Sequence, residues 1–279
     1  MSKKDSSSPT VSLIAVLITC VIEAHENRET AMVDIPNAFV QTDNKGETVI
    51  MKITGQLARF LVKTCPELYA KYVHYIKGIP TIYVELLKAL YGMMRSSLLF
   101  YKKLVKDLTD IGFEVNPYDP CIANMMVDGK QLTVTWHVDD LKISHQDKAV
   151  VDEFIQWICN KYEDVTPVKP SRGKVHDYLG MTLDYSEAGK VKIHMKNYIE
   201  KMIEEFPYKN EVKGKTAFTP AADYLFKIND DLPKLTKVKA EIFHTYVPKA
   251  LFLCKRSRAD IQTATTFLYT RVKEPDEHD

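Results

Sequence analysis

Two neighbouring carboxylates, Asp139 and Asp140, stand in the run Trp136-His137-Val138-Asp139-Asp140-Leu141-Lys142. Side by side they repel, and they stay ionised only where solvent or a cation relieves the charge. Solvent is the ordinary answer, because acidic residues at hairpin tips serve as turn formers. A divalent metal is the alternative: hard Mg²⁺ takes oxygen ligands and is commonly held by one or two carboxylates plus substrate phosphates. A third carboxylate discriminates between the two, and Asp34 is the candidate. It follows Ala31-Met32-Val33 and precedes Ile35-Pro36-Asn37-Ala38-Phe39-Val40, so it falls in or at the end of a short apolar strand broken by Pro36.

The elements that must position these groups are legible as patterns. Residues 121–127 are apolar, Asp128-Gly129 suits a tight hairpin, and residues 131–136 and 141–145 are rich in Leu, Val, Thr and Ile. The segment reads as a three-stranded meander with Asp139 and Asp140 at its second turn. Residues 10–27 read as a largely apolar helix, started by Ser8-Pro9-Thr10, which other elements must cover. Gln41-Thr42-Asp43-Asn44-Lys45-Gly46 reads as a turn-rich loop, residues 49–53 and 81–84 as strands, and residues 56–65 and 66–75 as short helices. Tyr69, Tyr72 and Tyr75 share helical spacing and suggest packing.

Residues 96–111 form an amphipathic pattern with Leu98, Tyr101, Leu104 or Val105, Leu108 and Ile111 on one face, stopped by Gly112. Asp147 caps a helix to residue 162 whose Val151, Phe154, Ile155 and Ile158 face inward. Residues 178–185 and 190–194 read as a hairpin around 186–189. Residues 198–206, 238–252 and 260–271 read as helices, and 209–231 as loop.

A strand with Asp34, a helix, a strand-turn-strand with Asp139 and Asp140, and a second helix give a β-α-β-β-α order. With a closing strand this is a split βαβ arrangement: an antiparallel sheet with helices on one face and the other face open to a ligand.

At 279 residues with 45% hydrophobic and 27% charged residues, the chain is globular and not disordered. The formal charge of +1 hides a local imbalance, with eleven Lys/Arg against five Asp/Glu over 209–258. Such a basic face suits phosphates or simply solvates the surface. Five widely spaced cysteines without a C-x-x-C pair argue against a zinc site and for reduced thiols in a cytoplasmic or nuclear protein. Lys3-Lys4 followed by the apolar run 11–22 imitates a secretion signal. The run is too short to span a bilayer and no small-residue cleavage site follows, so neither secretion nor a membrane anchor is expected. No P-loop, zinc spacing or long charge run is present.

Five blocks in order carry a family resemblance: Asp34-Ile35-Pro36-Asn37-Ala38-Phe39; Leu86-Leu87-Lys88-Ala89-Leu90-Tyr91-Gly92; Asn116-Pro117-Tyr118-Asp119-Pro120-Cys121; His137-Val138-Asp139-Asp140; and Tyr178-Leu179-Gly180-Met181. Together they resemble the reverse transcriptase of copia-type long-terminal-repeat retrotransposons. The resemblance implies an α+β right-hand polymerase palm over residues 1–194, with a partial fingers insertion at about 41–90 and a helical, thumb-like region over 195–279. It implies RNA-directed DNA synthesis on an RNA or DNA template-primer from deoxynucleoside triphosphates, with two Mg²⁺ ions (or Mn²⁺) about 3.5–4 Å apart.

On that resemblance Asp34 and Asp139 bridge the metals, Asp140 is the third carboxylate, and the Ile35 carbonyl completes one metal's shell. Ala38, Phe39, Arg95 and Val138 face the nucleotide. Phe39 lies under the sugar and rejects a ribose 2′-hydroxyl, although spacing alone is as consistent with a core phenylalanine. Tyr178, Leu179, Gly180 and Met181 lie near the primer end, and Lys169 or Lys174 protonates the leaving pyrophosphate.

Two positions depart from the family pattern: His137 stands where an aromatic precedes Val-Asp-Asp, and Arg95 where a Gln is usual. An arginine there pairs with phosphate but accepts no hydrogen bond. The family's basic strand ahead of the first helix is missing and no ribonuclease H region follows, so the chain reads as an N-terminally truncated fragment of a polyprotein, located in a virus-like particle or the nucleus. Two alternatives stand beside polymerase activity: an inactive retroelement remnant that binds nucleic acid, and a small metal-dependent nucleotidyl transferase or nuclease.

Overall fold

The computed structural model describes residues 7–44, 48–163, 166–212, 214, 217–222, 224–228 and 231–278. Lys3-Lys4, Lys45-Gly46 and parts of the expected 209–231 loop lie outside them. The chain forms two compact units, residues 1–16 with 28–172, and residues 17–27 with 173–279. The units therefore divide at 172/173, ahead of the expected functional boundary at 194/195, and the second also takes most of the first helix.

That helix, α1 (Leu13–His25), buries Val16, Cys20, Glu23 and Ala24, but Ile14 and Val21 are 72% and 61% exposed. The expectation that its whole apolar surface is covered is thus corrected: only the stripe at 16, 20, 23 and 24 is buried.

In the first unit β1 (Glu29–Asp34) is central. A 3-10 turn at Ala38–Gln41 follows, where a loop was expected only after Val40. β2 (Ile50–Thr54), α2 (Gln56–Thr64), α3 (Pro66–Tyr69), β3 (His74–Ile76) and β4 (Ile79–Glu85) then build a three-stranded antiparallel sheet in the order β2-β4-β3. Its core is Ile53, Ala58 and Ile82. The helix expected over 66–75 is cut short: Lys77 and Gly78 take positive φ (52° and 76°) and fold residues 74–76 back as a strand, so the three tyrosines do not share one helix. A two-residue turn with both φ values positive matches the twist of a hairpin, and this one overrides the helical spacing upstream.

α4 (Ser96–Asp110) buries Phe100, Leu104 and Leu108, a strict i, i+4, i+8 row. The inward face is rotated from the expected one: Ile111 is exposed and Phe100 is the anchor. Complete burial of one such apolar side chain stabilises by about 1.5–3 kcal/mol, so a row of three fixes the helix on the sheet. Asp107 on this face is also buried. It accepts hydrogen bonds from Lys103 and from the Tyr162 hydroxyl (2.7 Å), and Lys161 lies 3.3 Å away.

β5 (Glu114–Val115), β6 (Ile122–Val127), β7 (Lys130–His137) and β8 (Asp140–His145) form the meander as expected, with Asp128 and Gly129 both at positive φ in the first hairpin. α5 (Lys148–Tyr162) begins at Asp147, whose carboxylate accepts from the Ala149 N–H (2.8 Å), and it buries Val151, Phe154, Ile155 and Ile158. β9 (Lys169–Arg172) closes the sheet.

The strand order is β5-β6-β7-β8-β1-β9 with every neighbour antiparallel. Within it β7-β8-β1-β9 has the split βαβ order, because β1 and β7 are both antiparallel to the strand between them. Ala31, Val33, Val134, Trp136, Leu141 and Ile143 share one face, on which α5 packs and Tyr101 of α4 meets Trp136 (centroids 6.4 Å apart).

The opposite face was expected to be open, and most of it is not. Thr30, Met32, Thr133, Thr135, Lys142 and Ser144 lie there, all buried. Its last row, His137-Asp140-Asp34, reaches solvent, as do Met126, Gln131 and Ser171 toward its two edges.

In the second unit β10 (Val175–Tyr178), β11 (Met181–Asp184) and β12 (Lys192–His194) make a three-stranded antiparallel sheet. The single strand expected over 178–185 is two strands, since Leu179 and Gly180 (φ 50° and 80°) form a two-residue turn. Its core includes Tyr185, whose hydroxyl donates to the Glu23 carboxylate at 2.6 Å, both groups being buried. α6 (Lys196–Glu204), α7 (Lys209–Val212), α8 (Lys237–Cys254) and α9 (Gln262–Arg271) follow, each within a few residues of its expected span where one was expected. Among the described residues no helix is long and apolar enough to cross a membrane.

Candidate active site

β1 and β8 lie side by side so that Asp34 pairs directly with Asp140, and Asp140 in turn pairs with His137 across the second hairpin. Side chains alternate along a strand, so all three project from one face at the end of the sheet. The intervening turn is Val138-Asp139. Val138 has φ 62°, a left-handed value that a β-branched side chain takes only under strain. Such strain costs about 1–3 kcal/mol and persists where surrounding contacts over-determine it. One such contact is the Ile35 N–H, which donates to the Asp139 carbonyl at 3.1 Å and joins the turn to the chain leaving β1.

Asp139 and Asp140 both feel the charge of Asp34. Asp139 is raised above the ordinary carboxylate range, chiefly by burial and then by the charge of Asp34. Asp140 is raised by burial, then by Asp139 and Asp34. His137 works against both shifts. The Tyr91 hydroxyl has its pKa raised by burial, then by the charges of Asp139 and Asp34. Oxygen donors crowded against their own repulsion suit a hard divalent cation. Among the described residues, however, no group of three or more His, Cys, Asp and Glu side chains is arranged to hold a metal ion. The backbone brings the acids together, and their side chains do not converge.

Of the other residues singled out, Ile35 and Ala38 are fully buried. Phe39 is half-buried, with Tyr91 against it (centroids 4.4 Å apart, planes at 41°) and Phe100 at its edge (6.4 Å, 63°). Arg95 is half-buried at the start of α4. Lys169 is the cross-strand partner of Asp34 in β9, so the row at the sheet end runs His137-Asp140-Asp34-Lys169. Lys174 belongs to the second unit, where its carbonyl accepts from the Tyr185 N–H. Tyr178, Leu179, Gly180 and Met181 form the β10–β11 hairpin there. The Arg256 Nε donates to the Leu179 carbonyl (3.2 Å), and a Cβ on Gly180 would lie 3.2 Å from Phe252.

A family model described as reverse transcriptase (RNA-dependent DNA polymerase) matches residues 2–221. The chain belongs to this reverse transcriptase family. Among solved structures it is similar to the telomerase from Candida albicans in complex with a TWJ fragment of telomeric RNA, at 9% identity and a TM-score of 0.35, covering 97% of this chain and 50% of that one. The chain thus spans about half the length of that telomerase chain, and the TM-score is too low to bear on the fold.

Two residues near the candidate site were not singled out by sequence. Tyr91 lies in a block whose spacing gives no hint that its ring meets Phe39, 52 positions back. Gln41 fixes the segment after β1 by donating to the Pro36 carbonyl (3.0 Å) and the Tyr162 carbonyl (2.9 Å). Its position in a polar loop reads as solvated until the end of α5 is known.

Proposed function

We propose that the chain is the RNA-directed DNA polymerase domain of a copia-type element, extending a primer 3′-hydroxyl with deoxynucleoside triphosphates on a nucleic-acid template. The observation that carries the reading is the direct pairing of Asp34 with Asp140, with Asp139 at the adjoining turn, inside a chain of this family. In this reading the first unit is the palm with a fingers insertion at about 41–90, and the helical region 195–279 is thumb-like.

Asp34 and Asp139 are the residues that would bridge two Mg²⁺ ions, with Asp140 third and the Ile35 carbonyl an additional ligand. Asp34 and Asp140 are exposed and free to turn toward a common cation by side-chain rotation. When bound, paired divalent ions clamp the attacking and leaving oxygens of an in-line displacement and offset developing negative charge. The chain's own groups do the rest. Phe39 lies under the sugar and Arg95 meets the phosphates as a cation. Val138 holds the turn in its strained shape. Lys169, in the row of Asp34, is the better placed of the two lysines to hold a proton for the leaving pyrophosphate, and the register with β1 supports choosing it over Lys174.

The test is primer extension on an RNA template with Mg²⁺. Asp139→Asn is expected to lower incorporation by at least about 100-fold, the scale on which loss of a key electrostatic group acts. Undiminished synthesis by that variant would rule out the assignment. A second reading is favoured by the lack of side-chain convergence among the acids: a catalytically silent relative that binds nucleic acid. Salt-dependent template-primer binding without any incorporation, in Mg²⁺ and in Mn²⁺, would select it.

A further inference from the structure

A cavity of about 520 Å³ lies within the second unit, against one face of α8. Lys239, Ile242, Phe243, Tyr246, Val247 and Ala250 recur there at helical spacing and so form a single stripe. Of its apolar members Val247 is buried and the others are half-buried, so the stripe faces a hollow and not a packed core. Leu268 of α9, Leu235 and Phe206 complete the apolar wall, and the Phe206 ring meets Tyr246 edge-on (centroids 5.0 Å apart, planes at 74°). Protein interiors leave few voids larger than a water molecule, whereas small-molecule sites measure about 300–1,000 Å³. The hollow has the second size.

Its charge is unbalanced. The Leu235 N–H donates to the Pro275 carbonyl (2.9 Å) and the Glu277 N–H to the Pro233 carbonyl (3.2 Å), a short ladder that brings Asp276 and Glu277 to the cavity wall. With Glu211 they set three carboxylates against one ammonium, Lys239. Lys239 lies 3.6 Å from Glu277, and Asp276 is paired with Arg271 at 2.7 Å. One carboxylate remains in excess, and Glu211, exposed on α7, carries it.

We propose that this cavity binds a lipophilic amine, with the apolar body in the hollow along α8 and the ammonium group on Glu211. Burial of the body drives binding, because the half-buried stripe gives up water to it. The aromatic rings of Phe206, Phe243 and Tyr246 favour a cation over an anion at their faces. A neutral molecule of the same shape would fill the hollow and leave the surplus carboxylate unused, and an anion would be repelled by it. Phosphates are disfavoured for the same reason, so the site suits neither a nucleotide nor a template, and the proposal does not rest on the polymerase reading. The ion pair with Glu211 is exposed to solvent, which limits it to about threefold in affinity.

Three probes of one shape test it on the full chain: 1-naphthylmethylamine, 1-naphthylmethanol and 1-naphthoate, titrated by ligand-detected NMR. For an apolar body of this size the amine is expected to bind with a dissociation constant of about 1 mM. The alcohol should bind about threefold more weakly, and the carboxylate, which loses the attraction and meets repulsion of similar size, about tenfold more weakly. About 1 M salt should bring the amine to the affinity of the alcohol. Glu211→Gln, a change at an exposed position, should do the same in low salt and leave the alcohol unaffected. Ala250→Phe places a ring in the hollow and should abolish binding of all three. No binding of the amine to the wild-type chain, equal affinity for the three probes, or an equal loss of amine and alcohol in Glu211→Gln would overturn the proposal. So would retained amine binding in a folded Ala250→Phe chain, and if that variant does not fold, the probe series and Glu211→Gln decide alone. Sedimentation that depends on concentration in the wild-type chain, and that the amine reverses, would assign the cavity to a second copy of the chain instead.

Discussion

Removing one charge from the acidic row is expected to make the protein more stable. Asp34 and Asp140 are direct cross-strand partners, which sets their Cβ atoms about 4.5–5.5 Å apart. Two unit charges about 5 Å apart repel by about 0.8 kcal/mol at the dielectric constant of water and by about 3 kcal/mol at an effective value of about 20. Both side chains are exposed, so solvent screening brings the pair toward the lower figure, and Asp139 adds a second, partly shielded neighbour. Asp140→Asn is therefore expected to raise the free energy of unfolding by about 1 kcal/mol in metal-free buffer, or about 2–4 °C in midpoint for a chain of this size.

The pH dependence has a definite sign. A carboxyl whose folded pKa is raised favours the folded state at low pH and loses that contribution as pH rises through the folded value. The advantage of the variant should thus be absent well below pH 4 and grow as pH rises above the ordinary carboxylate value of about 4. It should shrink in about 1 M salt, where the Debye length falls to about 3 Å. Saturating Mg²⁺ should stabilise the wild-type chain more than the variant. Urea unfolding with chelator, with salt and with Mg²⁺ measures all of this. An Asp140→Asn variant less stable than wild type in chelator, or a gain indifferent to pH and salt, would refute the reasoning.

Asp107 sits in a buried network in which burial would raise its pKa but hydrogen bonds from Lys103 and Tyr162 outweigh that and hold it below the ordinary value. Asp107→Ala is expected to cost about 2 kcal/mol at pH 7. Because the folded pKa is depressed, the difference should fade as pH drops below about 4, as followed by denaturant midpoints across pH. Tyr185→Phe leaves the buried Glu23 without its 2.6 Å donor and should lower stability by about 1.5–3 kcal/mol, read by thermal unfolding. Gly180→Ala should cost more than Gly129→Ala. Both have φ near 80°, where an L residue costs about 1–2 kcal/mol, but only at Gly180 does the new Cβ meet an aromatic ring at 3.2 Å. Equal losses would mean that Phe252 yields freely.

Local rules made much of the scaffold readable from the sequence. The meander, its Asp128-Gly129 turn, the capped helix at 148–162 and the end of β1 at Asp34 all depend on contacts within a few residues, and each lies where residue types put it. Where expectation and structure part, a contact distant in sequence or a turn conformation intervenes. Helical spacing over 66–75 yields to the Lys77-Gly78 turn, and an apparent strand over 178–185 folds at Leu179-Gly180. The inward face of α4 rotates to put Asp107 beside Tyr162 and Lys161 of α5, partners that no local pattern announces.

For the site the division is similar. By itself the sequence determined the chemistry on offer: three carboxylates, the order of the blocks around them, and membership of a reverse transcriptase family, because residue types and their order need no folding to be read. Only the tertiary structure decided which groups share a row. Antiparallel register set Asp34 opposite Asp140 and Lys169 opposite Asp34, and removed Lys174 to the other unit. It buried Ala38, and it brought the Tyr91 ring to Phe39. The physical reason is that a one-residue slip in register reverses which face every side chain of a strand occupies, and register depends on pairing across the whole sheet, which no single stretch of chain contains.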